Sequence, residues 1–170
     1  MINLNKNIES LTKIILFIFF LLNPTITLAE INDKKWSKQC VKNICYVAVT
    51  KYFKDSQSGK VKSLSTAIVL LNPEQKNSEA IINLLFPMGT DLTKVPLISI
   101  DGQKIGNLTY LNCKVNQGCL AELGITNAGI KEFKKGKVLS AHFVRAGLSE
   151  TYILEFTLKG FTKAYKSISK

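Results

Sequence analysis

The sequence has 170 residues, 46% of them apolar, with 23 basic against 12 acidic side chains and a net charge of +11. That length suits one core rather than several, and the single histidine, His142, leaves one candidate for any metal or acid–base site that relies on imidazole. Only Arg145 among the basic residues is an arginine, whereas nucleic-acid readers concentrate arginine and stacking aromatics on one face, so nucleic acid is not an expected partner.

Residues 1–29 have the layout of a secretory signal peptide, with Lys6 and Lys13 ahead of an apolar run from Ile14 to Leu22 and small residues at Thr27 and Ala29. The run is well short of the roughly 20 residues that a membrane-spanning helix takes. Cleavage after Ala29 is expected, leaving residues 30–170 as a single β-rich domain with no membrane span.

From Trp36, WSKQC meets CYVAVTKYF through the link Val41 to Ile44. In the second arm Cys45, Val47, Val49 and Phe53 alternate with Tyr46, Ala48, Thr50 and Tyr52, the period of a strand, so a hairpin is predicted with a cysteine at each end of its loop. KDSQSGK is a polar loop. STAIVLLN and SEAIINLLF, separated by Asn72-Pro73, suit strands buried on both faces or packed against a sheet, with a helical hairpin possible for the second. After the reversal FPMGTDL, LISID and KIGNLTYL read as two strands joined by Asp101-Gly102, a strong hairpin signal. LNCKVNQGC then closes a second loop and leads into the short strand LAEL.

One internal helix follows: Thr126 can cap it, Ile125 and Ile130 stand at the positions of a hydrophobic staple, and Gly136 can end it. Ile130 and Phe133 face the core; Lys131, Lys134 and Lys135 face solvent. KVLSAHFVRA and LSETYILEFTLK read as long strands, the latter with Leu148, Tyr152, Leu154, Phe156 and Leu158 on one face, as expected of an antiparallel sheet wet on one side. GFTKAYKSI places Phe161, Ala164, Tyr165 and Ile168 at helical spacing, a short C-terminal helix over an open end of the core. About eight strands and two short helices predict a mainly β fold, an antiparallel β-sandwich or partly open β-barrel.

The four cysteines, Cys40, Cys45, Cys113 and Cys119, could hold a four-thiolate zinc, but C-x4-C and C-x5-C lack the usual close knuckle. Redox chemistry of the C-x-x-C type has no matching pair. Disulfides are the expected outcome in an exported domain. Of the three possible connectivities the local one, Cys40 with Cys45 and Cys113 with Cys119, is favoured because each pair brackets a hairpin loop. Gly118 helps the second chain reversal.

Little else carries chemistry. His142 lies mid-strand with Ser140 and Val144 and is read as a surface or structurally satisfied residue. Asp91 with Asp101, and Glu150 with Glu155, could be named as carboxylate pairs but are explained as surface charge. No G-x-S-x-G elbow, H-E-x-x-H, P-loop or dinucleotide fingerprint is present. The sequon at Asn107 is too short a pattern to weigh. Neither an enzyme nor a cofactor or metal site is expected.

The ordered set WSKQCVKNIC, FPMGTDL with LISIDG, CKVNQGCLAEL, KKGKVL and LKGFTKAYKSI resembles the invasion-associated locus B family of exported bacterial proteins over about residues 36–168. The resemblance implies a protein of the Gram-negative envelope, periplasmic or at the cell surface, and in some intracellular bacteria a contribution to host-cell entry. It supplies no catalytic residues. The expected function is a disulfide-stapled binding module that meets an envelope or host-surface protein, or an anionic surface to which the diffuse positive field draws it. Lys131, Lys134, Lys135 and Lys137 are the candidate contacts. The alternatives are a periplasmic accessory protein with no host role, and a lysine coat that serves solubility alone.

Overall fold

The structure is a computed structural model and describes residues 35–54, 59–73 and 78–169; the signal-peptide expectation for residues 1–29 lies outside them. Ten strands and two helices occur in this range: β1 Ser37–Val41, β2 Ile44–Lys54, β3 Val61–Leu71, β4 Ala80–Phe86, β5 Leu97–Ile100, β6 Gln103–Asn107, β7 Thr109–Lys114, β8 Gly118–Ile125, α1 Asn127–Lys135, β9 Val138–Val144, β10 Thr151–Thr157 and α2 Phe161–Lys166. They form two antiparallel sheets, six strands in the order β1-β2-β3-β4-β8-β7 and four in the order β10-β9-β5-β6, with no closed barrel.

Strand alternation builds the core directly. In the larger sheet Val47, Val69 and Ile82 stand opposite one another across three strands, followed one step along by Val49, Ala67, Leu84 and Ala121. All of these are buried. Leu139, Ala141, Phe143, Leu154 and Phe156 of the smaller sheet complete the same cluster, and Phe86 meets Phe143 between the sheets at 5.3 Å. The outer face of the larger sheet is apolar in part, with Ile68, Leu70, Ile81, Leu85 and Leu120 half-buried among Thr66, Asn83 and Glu122, in keeping with the apolar runs of β3 and β4; the helical alternative for β4 is not realised.

Several local details differ from the sequence expectation. Val41 pairs with Ile44, so the first hairpin link is Lys42-Asn43 alone, and Lys42 takes a positive φ of 54° to make it. KIGNLTYL is not one strand: β6 belongs to the small sheet and β7 to the large one. The chain changes sheets at Leu108, 2% exposed, whose N–H donates to the Pro96 carbonyl. Leu148 is 47% exposed rather than in the core, because the β9–β10 ladder begins at Val144 with Thr151 and the residues between form a turn at Gly147. By contrast Asp101-Gly102 forms the expected tight hairpin, both residues at positive φ as a two-residue loop of this kind requires.

Thr126 caps α1 by accepting a hydrogen bond from the Gly129 N–H, and Ile125, Ile130 and Phe133 are buried. Gly136 ends the helix in an extended conformation, not a left-handed one. Glycine is needed there for space, since a Cβ would sit 2.3 Å from Ile100 and 3.0 Å from the Glu132 carbonyl. At the other end of the chain, α2 buries Phe161, Ala164 and Tyr165 and closes the core as expected from its spacing.

Candidate anion-binding surface

Both disulfides lie directly across antiparallel ladders. Cys40 opposes Cys45 and Cys113 opposes Cys119, and each pair is bonded, with Cα atoms 4.1 and 4.0 Å apart. No cysteine is left free for metal or redox chemistry. Gly118, beside the second bridge, has φ of 109° and would place a Cβ 2.1 Å from the Phe86 carbonyl oxygen, so the loop is built on the absence of a side chain.

The polar residues that could have suggested catalysis have structural partners. His142 Nε2 lies 2.9 Å from the Ser99 hydroxyl; no carboxylate completes this pair among the described hydrogen bonds, and Ser99 is buried. Asp91 accepts from the Thr93 hydroxyl and N–H, which, with Lys94 nearby, hold its carboxyl below the ordinary value. Asp101 accepts from the N–H groups of Lys137 and Val138. Among the described residues no group of three or more histidine, cysteine or acidic side chains is placed to hold a metal.

Charge, not nucleophiles, accumulates in one region. Because α1 turns Ile130 and Phe133 inward, Lys131, Lys134 and Lys135 are exposed. Lys137 follows, its carbonyl accepting from the Leu158 N–H just after β10, so the end of α1 and the start of α2 are neighbours. Thr162 of α2 donates its hydroxyl to the Lys134 carbonyl, and the Lys134 ammonium lies over the Tyr165 ring, 4.9 Å from its centre. The α2 region adds Lys159, Lys163 and Lys166.

The lead-in to β1 joins the same region. Trp36 is 5% exposed; its indole N–H donates to the Thr157 carbonyl at 2.7 Å, and its ring meets Phe161 edge-on at 5.0 Å. That anchor holds Lys35 and Lys38 against α2, and the Lys38 ammonium donates to the Ser167 carbonyl at 2.9 Å. A cleft of about 510 Å³ opens between these segments. The structure thus brings the predicted Lys131, Lys134, Lys135 and Lys137 together with Lys35, Lys38, Lys159 and Lys163, which sequence reasoning had not singled out. Their signal was present in part: Lys159, Lys163 and Lys166 recur at helical spacing, and the chain's sole tryptophan follows Lys35.

Residues 36–169 match the family model described as invasion associated locus B protein. Invasion protein B homologues from Brucella abortus strain 2308 and from Brucella abortus biovar 1 strain 9-941 are each 32% identical over 85 residues, covering 50% of this chain and 49% of theirs. The matched stretch therefore spans about half the length of these relatives. The crystal structure of invasion associated protein B from Bartonella henselae superposes with a TM-score of 0.63 at 20% identity, covering 84% of this chain and 96% of that one; at that identity the likeness is one of fold.

Proposed function

The chain belongs to the invasion associated locus B family, and from that premise we propose that it is an exported, non-enzymatic binding protein of the bacterial envelope. Its lysine-rich end contacts an anionic partner and, in a pathogen, contributes to host-cell interaction. The observation that carries this reading is the convergence of α1, α2 and the β1 lead-in, whose lysines form no ion pair among the described residues. Unneutralised positive charge of this kind draws anionic surfaces and concentrates them nearby. The names borne by the Brucella and Bartonella relatives support the invasion-associated part of the proposal, and the structural roles of His142, Ser99, Asp91 and Asp101 support a non-catalytic protein.

Binding of the purified protein to sialylated cells, followed as salt is raised, tests the proposal. Retention should fall as exposed charge contacts are screened over a Debye length of about 8 Å at physiological ionic strength. It should also fall when Lys131, Lys134, Lys135 and Lys137 are all changed to Gln. Binding indifferent to both changes rejects the lysine surface.

One observation favours a second reading, an accessory protein that packs against another envelope component. The outer face of the larger sheet pairs Leu70 with Ile81 and Leu85 with Leu120, and Ile68 lies on the same face opposite Asn83. Protease treatment of intact cells separates the two readings. Cleavage places the protein at the surface, and protection until the outer membrane is broken places its work inside.

A further inference from the structure

The cleft between the β1 lead-in and α2 has features that a general positive surface lacks. At about 510 Å³ it falls in the range of small-ligand sites. Its floor is rigid, because Trp36 is tied at its nitrogen to Thr157 and at its ring to Phe161. Lys35, Lys38, Lys159 and Lys163 are among the residues that line it, and among the described residues no acidic side chain does. One of the four is already held in place, Lys38 by the Ser167 carbonyl.

Like charges gathered around one cavity repel, and a compact anion reaching several of them at once removes that repulsion. Ammonium groups act as point charges that can approach a tetrahedral group from several sides. A phosphate monoester, carrying close to two negative charges at neutral pH, suits a cleft lined by four lysines better than a singly charged diester. The Trp36 ring, Ala164 and the lysine stems leave an apolar wall for the carbon part of such a ligand.

We propose that this cleft binds a phosphate monoester, borne by a lipid headgroup or by a soluble phosphorylated metabolite. The proposal deepens the anionic-surface reading and rests on it, by naming a specific site and a specific chemistry within the positive region. Trp36 is the sole tryptophan, so its emission reports directly on the cleft.

The purified protein is titrated with glycerol 3-phosphate, and separately with phosphatidylcholine vesicles containing either phosphatidic acid or, at matched charge, phosphatidylglycerol. Saturable change in Trp36 emission is expected with a phosphomonoester probe and not with the diester vesicles. A response to phosphatidic acid alone identifies the lipid source, and a response to glycerol 3-phosphate identifies a soluble one. Changing Lys35 and Lys159 to Gln should weaken the response about tenfold or more, as loss of charge-assisted contacts does, while Lys104→Gln with Lys114→Gln, on β6 and β7 away from the positive region, leaves it unchanged. Both pairs are exposed, and circular dichroism confirms that each variant folds. The proposal is overturned if neither monoester probe gives saturation, if diester vesicles at matched charge respond equally, or if the cleft variants bind as the parent does. Anionic vesicle binding that survives the cleft changes but is lost when Lys131, Lys134, Lys135 and Lys137 are changed rejects the cleft alone; no response to glycerol 3-phosphate together with no binding to any anionic vesicle rejects the broader reading with it.

Discussion

Tyr110 and Gly118 are the residues whose replacement has the clearest physical consequence. The Tyr110 hydroxyl is buried without a hydrogen-bond partner among the described residues, and burial, aided by the charge of Asp91, pushes its pKa from 10.0 up to about 12. Tyr165 is pushed up as well, by burial and then by the hydrogen bond to Glu79. A raised folded-state pKa favours the neutral phenol in the native state, so the stability linked to it is complete below the unfolded value and is lost as pH rises through the folded one. The thermal midpoint should therefore decline between about pH 10 and 12, and Tyr110→Phe should make that decline shallower. At neutral pH the same substitution removes an unsatisfied buried group, and urea denaturation should find it neutral or stabilising by up to about 1 kcal/mol. Gly118→Ala has the opposite sign, combining a positive φ with a clash against the Phe86 main chain; a loss of about 2–4 kcal/mol is expected.

At the scale of the element, α1 shows how local chemistry and packing divide the work. Nine residues are too few for a helix to be stable by itself, so the burial of Ile130 and Phe133 supplies most of its stability. The Thr126 cap satisfies one of the donors left over at the start of the helix. Thr126→Ala should cost about 1 kcal/mol in an equilibrium unfolding experiment, and Thr126→Ser should restore most of it. The cap was legible because a threonine precedes an amphipathic stretch. The role of Gly136 was only half legible: a glycine at a helix end suggests left-handed geometry, whereas here Ile100 and Leu158 crowd the position from the sheet beside it.

For the whole molecule, two sheets share one core, and the disulfides staple its edges rather than its centre. Each bridge closes a loop so short that chain-entropy reasoning allows about 2 kcal/mol, and each joins residues already opposed in a hydrogen-bonded ladder. Reduction should therefore lower stability by less than about 4 kcal/mol in total and leave a folded β-rich protein by circular dichroism. Unfolding on reduction would mean that the bridges, not the core, hold the two sheets together. Intact-mass measurement before and after reduction checks that the native protein carries both.

Alternating side chains along β2, β9 and β10, the Asp101-Gly102 turn, the paired cysteines and the amphipathic spacing of both helices determined the mainly β class, the hairpins and the helices, because each is set by residues within a few positions of one another. The break of KIGNLTYL into two sheets at Leu108 was not legible, since its neighbours look alike and only the packing of a second sheet decides where the strand must leave the first. The same limit applies to the site. Lys131, Lys134, Lys135 and Lys137 stand out in a single stretch, but Lys35, Lys38, Lys159 and Lys163 come from opposite ends of the described chain. Their convergence was decided only by the tertiary structure, through the burial of Trp36 against Phe161 and its hydrogen bond to Thr157, contacts across more than a hundred residues that no local periodicity encodes.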